Sequence, residues 1–228
     1  MTRTLAVLRP EPGNAATCGR AAAAGFATIS LPFFAVRALD WDPPDPAEHD
    51  ALVLTSANTV RFGGAGLDAL KRLPVVAVGP HTAAAARAAG FDVMATGSGD
   101  GAEIARLAAA RAVTRALHLT GRDRTLTAGG PIATVLPVYE SVELPISPVA
   151  LGTLAGTIAL LHSARAARRL DALLAAAGID RSGIALAAFS DAIAAAAGRG
   201  WAGVATAASP DDAALFAALR GLHETSSN

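Results

Sequence analysis

The chain has 228 residues, enough for one large domain or two of about 100, and 52% of them are hydrophobic, so sizeable cores can form. Its formal net charge is zero, which excludes the strongly basic surface typical of proteins that bind nucleic acid or anionic membranes. A single cysteine, Cys18, excludes an internal disulfide, and no histidine pair has helical metal-ligand spacing, so we expect no metal site.

The first residues lack the apolar stretch and the cleavage site of a signal peptide. Charged residues or glycine interrupt the alanine-rich runs every few residues, so none of these runs could span a bilayer. We therefore expect a cytoplasmic protein without membrane or nucleic-acid partners.

Short apolar runs alternate with helix-like segments, as in parallel sheets that helices cover on both faces. The first run, residues 4–8, is a predicted strand, followed by a turn at Arg9 and a helix over about 14–24 that Asn14 or Thr17 can cap. Further strands are predicted at residues 27–30, 51–54, 75–78, 92–95, 116–119, 158–161, 184–188 and 204–207. Further helices are predicted at about residues 102–112, 164–177, 192–197 and 210–219.

The same pattern occurs twice along the chain. Residues 51–62 and 159–170 each contain an apolar run, then a serine and a helix start. Residues 75–90 and 186–200 each contain an apolar strand, a polar turn and an alanine-rich helix that ends at glycine. This repetition predicts two similar α/β lobes.

Two proline-containing segments, LPFFAV at residues 31–36 and LPVYESV at 136–142, are also similar. Proline at the start of each favours an edge strand or a connector. Too few strands follow the second segment to complete a lobe, unless the N-terminal strands join them. We therefore predict one discontinuous α/β lobe from residues 1–36 and 142–228, with residues 37–141 inserted as the second lobe and the proline segments as connectors.

Ligands of parallel sheets bind beyond the carboxyl ends of the strands. The predicted turns at such ends contain Arg9, Ser56, residues 79–82, residues 121–124, residues 163–165 and residues 190–191. At Ser56 and Asn58 a helix begins, where hydroxyls and free backbone N–H groups either cap the helix or bind an anion. The turn at Gly79 is of the same kind, and its glycine would let a ligand approach the backbone.

Tyr139 is the only tyrosine in the chain, and its counterpart in the first proline segment is Phe34. A phenol can donate a proton or a hydrogen bond, which phenylalanine cannot. The alternative is a half-buried strand aromatic without a chemical role. A GxGxxA pattern at residues 97–102 is a weaker, rival signal for nucleotide binding, because no acidic residue ends the next strand.

Several short segments together resemble the uroporphyrinogen-III synthase family. They are LRP at residues 8–10, TSANTV at 55–60, VGPHTA at 78–83, GRD at 121–123 and PVYE at 137–140. Their order and spacing extend over almost the whole chain. The resemblance implies two α/β lobes with parallel sheets, a two-strand connector and an active-site cleft between the lobes.

The resemblance also implies a reaction. Members of the family cyclise hydroxymethylbilane, a linear tetrapyrrole with eight carboxylates, to uroporphyrinogen III in haem, sirohaem and cobalamin biosynthesis. Water is lost, ring D is inverted and no cofactor is used. Tyr139 matches the motif tyrosine and becomes the candidate proton donor to the leaving hydroxyl. The candidate substrate-binding residues are Arg9, Ser56, Asn58, Gly79, His81, Thr82, Gly121, Arg122, Ser163, Arg165 and Ser190.

One turn departs from the family pattern. Many relatives have a Gly-Pro-Thr-Thr-like turn where this chain has Ser190 and Asp191, and an acid beside an anionic substrate weakens a binding role there. We expect a monomer that receives its substrate from the preceding enzyme of the pathway. The alternative function is a non-catalytic, two-lobed α/β protein that binds a small anionic ligand or acts in regulation.

Overall fold

The computed structural model describes residues 4–97, 101–124 and 126–219. The chain divides into two compact units, which we call unit 1 (Met1–Ala35 with Glu143–Asn228) and unit 2 (Val36–Val142). Each boundary predicted from the sequence lies one residue from the corresponding boundary between the two units. None of the described helices is long and apolar enough to cross a membrane.

Strands and helices alternate along most of the chain. The strands are β1 (Leu5–Val7), β2 (Thr28–Ser30), β3 (Phe34–Ala38), β4 (Ala51–Leu54), β5 (Val75–Ala77), β6 (Val93–Thr96), β7 (Ala116–Gly121), β8 (Ile132–Glu143), β9 (Ile158–Leu161), β10 (Ala185–Ala188) and β11 (Gly203–Thr206). The α-helices are α1 (Gly13–Ala23), α2 (Ala57–Phe62), α3 (Pro80–Ala88), α4 (Gly101–Ala109), α5 (Pro148–Gly152), α6 (Ala164–Ala176), α7 (Asp191–Ala195) and α8 (Asp212–Ala218). Short 3-10 helices lie at Pro46–Glu48, Gly64–Leu70 and Arg181–Gly183.

Unit 1 contains a five-stranded parallel sheet in the order β11-β10-β9-β1-β2. Its central strands β1, β9 and β10 are buried on both faces, which explains their continuous apolar sequences. On one face they pack against Leu170 and Leu174 of α6. On the other face they pack against Ala21 of α1 and Leu215 of α8. The predicted parallel sheet flanked by helices is confirmed.

Unit 2 contributes most of a six-stranded sheet in the order β3-β8-β7-β4-β5-β6, in which β4 to β8 are joined by parallel pairs. Residues alternate between two cores along β4 and β7. Leu52 and Leu119 pack with the segment that contains Leu70, whereas Val53 and Ala116 pack with Ile104 of α4. The last residues of β4 and β7 lie at the carboxyl edge of the sheet. Because successive side chains point to opposite faces, these residues extend from both faces of the sheet.

The second proline segment does not lie at a sheet edge. Pro137 lies inside β8, opposite Thr120 of β7, and β8 lies between β3 and β7. The register shifts between Thr120 and Gly121, and such an irregularity accommodates a residue that has no N–H to donate. Of the two predicted alternatives, an edge strand or a connector, the edge strand is therefore wrong for β8, whereas β3, which follows Pro32, is an edge strand.

The start of α1 also differs from the prediction. The helix begins at Gly13, and no side chain caps it. Asn14 is fully buried and donates instead to the carbonyl oxygens of Val7 (2.8 Å) and Arg9 (3.1 Å), which fixes the turn after β1. Thr17 is also buried and bonds to a distant residue, Asp212. Neither predicted cap was right, because both side chains serve tertiary contacts.

Candidate functional site

A cleft of about 480 Å³ opens at the carboxyl edge of the unit 2 sheet. It is lined by Thr55, Ser56, His118, Thr120, Asp123, Arg124, Leu126 and Tyr139. Thr55 and Ser56 follow β4 directly, His118 and Thr120 belong to β7, and Tyr139 belongs to β8. The cleft thus combines a phenol, three hydroxyls, an imidazole, a carboxylate and a guanidinium where a parallel sheet binds its ligands.

The Tyr139 ring lies directly over Gly121. Gly121 is the register partner of Tyr139, and a Cβ added to it would lie 2.8 Å from both Cε2 and Cζ of the ring. A second neighbour of the ring is Phe62, whose ring centroid is 6.4 Å from that of Tyr139. Within the part of the chain that the structure describes, no group hydrogen-bonds the phenol, so its O–H can be donated to a ligand in the cleft.

A buried imidazole lies beneath the cleft. His118 is fully buried, and its Nε2 lies 3.2 Å from Oγ1 of Thr55. Its Nδ1 is also buried and has no hydrogen-bond partner among the described residues. Burial, aided by the positive charge of Arg124, lowers the pKa of His118 to about 4. His118 is therefore neutral near pH 7.

Ser56 caps helix α2, as one of the two interpretations of the sequence predicted. Its Oγ accepts a hydrogen bond from the backbone N–H of Asn58 at 3.1 Å. A hydroxyl that accepts one bond still has its own hydrogen to donate, so capping does not exclude a contact in the cleft. The Asn58 side chain instead accepts from Arg61 at 3.2 Å.

Arg122 does not line the cleft but forms an ion pair beside it. Its Nη1 lies 2.6 Å from Oε2 of the buried Glu140, whose Oε1 accepts from Nε of Arg37 at 2.6 Å. Its backbone N–H donates to the carbonyl oxygen of Tyr139 at 2.8 Å. The double ion pair ties β3, β8 and the turn after β7 together, and thereby fixes the backbone that carries the phenol.

The turn before α3 contributes no lining residue to the cleft. Gly79 has an extended backbone, and a Cβ there would meet nothing within 4 Å. A residue with a side chain would therefore fit at this position. His81 is exposed, and Thr82 is buried on α3. Part of the GxGxxA pattern, residues 98–100, lies outside the described residues.

The candidates of unit 1 also follow strand ends. Ser163 caps α6 by accepting from the N–H of Ala166 at 3.2 Å. Ser190 caps α7 in the same way at 3.3 Å. The guanidinium of Arg165 lies 4.4 Å from the ring centroid of Phe34, a cation–π distance.

Arg9 follows β1 and belongs to a polar cluster within unit 1. A Cβ on Gly13 would lie 2.5 Å from Nε of Arg9, so a side chain there would force the guanidinium to shift. Burial lowers the pKa of Arg9, although the nearby carboxylate of Asp212 opposes this shift. Arg9 therefore remains a cation with reduced hydration, which favours contact with a further anion.

Asp212, the first residue of α8, is the centre of this cluster. It is buried and accepts hydrogen bonds from Thr17 (2.7 Å) and from Nε of Arg20 (2.8 Å), and its Oδ1 lies 3.2 Å from Nε2 of His162. Burial alone would raise the pKa of Asp212, but these bonds outweigh it and hold the pKa well below its usual range. Burial also lowers the pKa of His162, so the pair consists of an ionised carboxylate and a neutral imidazole.

The structure brings two of the predicted site residues, Ser56 and Tyr139, into the cleft. The other lining residues include Thr55, His118, Thr120 and Arg124, which are not among the site residues predicted from the sequence. The sequence did contain one signal for these residues. His118 and Thr120 are polar residues two positions apart in an otherwise apolar strand, so both lie on the same face near its carboxyl end. Among the described residues, no group of three or more His, Cys, Asp or Glu side chains could hold a metal ion.

Comparisons with known proteins agree with this architecture. Residues 16–217 match the family model for uroporphyrinogen-III synthase HemD. The crystal structure of uroporphyrinogen-III synthetase from Helicobacter pylori 26695 is similar in fold, with a TM-score of 0.63 and 15% identity over 97% of this chain and 100% of that one.

A mutant uroporphyrinogen III synthase from the extremely thermophilic bacterium Thermus thermophilus is also similar, with a TM-score of 0.56 and 15% identity over 97% of this chain and 99% of that one. No curated protein matches the chain. At these identities the two structures support the fold, and the family model, which extends over most of the sequence, supports the family. The chain therefore belongs to the uroporphyrinogen-III synthase family of cyclising hydro-lyases.

Proposed function

We propose that the unit 2 cleft is where this enzyme acts on hydroxymethylbilane, with Tyr139 as the proton donor. The observation that supports this proposal best is the position of the Tyr139 phenol. Its ring packs against Gly121 and Phe62, and it lines the cleft together with hydroxyls and a guanidinium at the carboxyl edge of the sheet. The substrate carries a hydroxyl that must leave and carboxylates that must be held. Each of these groups has a chemical counterpart among the lining residues.

The phenol acts at the first step. Tyr139 donates its proton as the C–O bond of the hydroxymethyl group breaks, so that water leaves and an azafulvene cation and a phenolate remain. The cation is reactive without further activation, and the protein mainly has to fold the chain so that the inverted ring D closes. The phenolate then accepts the proton that the macrocycle loses after closure. The net change is the loss of one water.

The hydroxyls and the guanidinium hold the substrate. Thr55, Ser56 and Thr120 donate hydrogen bonds to carboxylate oxygens, and Arg124 supplies positive charge. Gly121 and Arg122 act on the position of Tyr139, and Asn58, Gly79, His81 and Thr82 lie outside the set that lines the cleft. We retain the unit 1 candidates as carboxylate ligands, because each lies just beyond the carboxyl end of a strand in the unit 1 sheet. These candidates are Arg9, Ser163, Arg165 and Ser190.

The test is incubation with freshly generated hydroxymethylbilane, followed by separation of the isomers of uroporphyrin after oxidation. We expect the type III isomer, which requires inversion of ring D. A product consisting only of type I, as in the control without protein, would contradict catalysis. It would instead favour a binding protein for anionic tetrapyrroles.

Replacing Tyr139 by phenylalanine tests the proton donor. Tyr139→Phe retains the ring over Gly121 and removes the hydroxyl, so we expect turnover to fall by about 10²-fold or more while the affinity for product changes little. Turnover would be measured by the rate of type III formation, and affinity by fluorescence titration with product. An unchanged rate would remove the phenol from the mechanism.

We further infer that the protein works as a cytoplasmic monomer that receives its substrate from the preceding enzyme of the pathway. The family's role in tetrapyrrole biosynthesis supports this inference. Light scattering at micromolar concentration tests the monomer, and a stable dimer would contradict it.

A further inference from the structure

His118 is an unusual residue for its place in the fold. It lies in the middle of β7, a strand whose residues are all buried, with Leu117 and Leu119 on either side. An imidazole removed from water destabilises the fold unless its polar atoms find partners. Only one of its two nitrogens does so among the described residues, through the 3.2 Å contact between Nε2 and Oγ1 of Thr55.

This contact has two directions, which depend on the tautomer. With the proton on Nδ1, Nε2 would accept from Thr55, and an unpaired N–H would be buried. With the proton on Nε2, the imidazole donates to Oγ1, and only a lone pair remains unpaired. The second arrangement satisfies the donor of the ring, and it is the better one because buried N–H groups without an acceptor are rarer than under-satisfied acceptors.

The tautomer decides what Thr55 can do. When Oγ1 accepts from His118, the hydrogen of the Thr55 hydroxyl is free to be donated elsewhere. Thr55 lines the cleft, and its neighbours there are Ser56, Thr120 and Arg124. A carboxylate in the cleft can therefore accept a hydrogen bond from a hydroxyl whose orientation is set from beneath.

We propose that His118 is a positioning residue, which donates from Nε2 and thereby keeps the Thr55 hydroxyl oriented as a hydrogen-bond donor to a carboxylate of the substrate. This inference rests on the proposed function for its ligand, but not for the direction of the His118–Thr55 bond. His118 borders the cleft but has no solvent-exposed surface, so we expect it to act through Thr55 and not by direct contact with the substrate. Its neutral charge state leaves Arg124 as the cation that the carboxylate meets.

Kinetics of four variants test the proposal. His118→Leu removes the donor at similar volume, whereas His118→Gln keeps an N–H near the position of Nε2. Thr55→Val removes the hydroxyl and Thr55→Ser retains it. We expect His118→Leu and Thr55→Val each to raise KM for hydroxymethylbilane by about five- to tenfold with kcat within about twofold of wild type, and the Gln and Ser variants to keep KM within about twofold.

The double variant distinguishes positioning from general damage to the core. If His118 acts through Thr55, His118→Leu combined with Thr55→Val has the KM of Thr55→Val alone. Multiplied effects would overturn the proposal, as would a His118→Gln variant that is as impaired as His118→Leu. His49→Gln is the matched control, since His49 is a buried histidine of the same unit at the amino end of β4, where it contacts the carbonyl oxygen of Arg115. Its kinetics should equal those of wild type.

A second measurement does not require activity or a folded leucine variant. Long-range ¹⁵N–¹H NMR of the ¹⁵N-labelled wild-type protein near pH 7 identifies which ring nitrogen of His118 carries the proton, with His118→Gln used for assignment. A proton on Nε2 supports the proposal, and a proton on Nδ1 overturns it. If the tautomer is the expected one but the protein makes only the type I isomer, the proposed function fails while the His118–Thr55 bond stands.

Discussion

At the scale of single residues, Tyr139 and Gly121 form one packed pair. The sequence predicted both as site residues, but it assigned Gly121 to substrate binding. The structure gives Gly121 another role, because a side chain there would overlap the Tyr139 ring. The sequence could not reveal this, since the two residues are brought together by the pairing of β7 with β8.

Gly121→Ala tests this pair. The added Cβ would lie 2.8 Å from two ring carbons, so the ring must move, and we expect the rate of type III formation to fall by about tenfold or more. Gly19→Ala is the control, because a Cβ on this glycine of α1 would meet nothing within 4 Å. Equal rates for the two variants would show that the position of the ring does not matter.

His118 should also make the folded state sensitive to acid. Its pKa is about 4 in the folded protein and 6.5 ordinarily, so the unfolded chain takes up this proton first as the pH falls. Stability is therefore fully present above pH 6.5 and is lost between pH 6.5 and about 4, by on the order of 2 kcal/mol at pH 4.5.

The His118→Gln variant lacks this group, while His162, whose pKa is shifted in the same direction, remains in both proteins. Urea unfolding at pH 7 and pH 4.5 should show that the variant loses less stability than wild type over this interval. The same loss in both proteins would contradict a buried, neutral His118.

At the scale of helices and strands, the repeated serine turns have a structural explanation. Ser56, Ser163 and Ser190 each cap the helix that follows. Such a cap stabilises the start of a helix whether or not a ligand binds there. The pattern therefore predicted the helix starts well, and on its own it could not identify which turns line the cleft.

Some elements could be predicted and others could not. Strands buried on both faces, such as β9 and β10, have continuous apolar sequences that were predicted nearly to the residue. The first part of β8, residues 132–135, was not predicted, although only Thr134 there is polar. The bond from Thr17 to Asp212 joins residues 195 positions apart, and no local signal indicates it.

The cluster around Asp212 fastens α8 to α1 within unit 1. Asp212→Ala removes the buried acceptor that Thr17, Arg20 and His162 share. Because Arg20 is half exposed and stays hydrated without its partner, the loss is that of hydrogen bonds to a charged group, about 2 kcal/mol. We expect urea unfolding to show a loss of this size. Asp191→Ala, at an exposed position in the first turn of α7, should change stability by less than about 0.5 kcal/mol. A comparable loss in both variants would remove the special role of the cluster.

At the scale of the whole molecule, counting strands predicted the discontinuous organisation. The N-terminal strands β1 and β2 lie in the same sheet as β9, β10 and β11. The reasoning was that a parallel α/β sheet needs several strands to bury its faces, so the three strands at the end of the chain required others. Sequence alone could not establish which strand ends form a cleft, because that depends on the order of the strands in the sheet.

The central claim is that a phenol and hydroxyls at the carboxyl edge of the unit 2 sheet meet the tetrapyrrole. The most direct test is a crystal structure of the protein with uroporphyrinogen III bound. We expect carboxylates of the product within hydrogen-bond distance of Thr55, Ser56 or Thr120, and the Tyr139 hydroxyl against the macrocycle. Product bound elsewhere, with this edge of unit 2 empty, would contradict it.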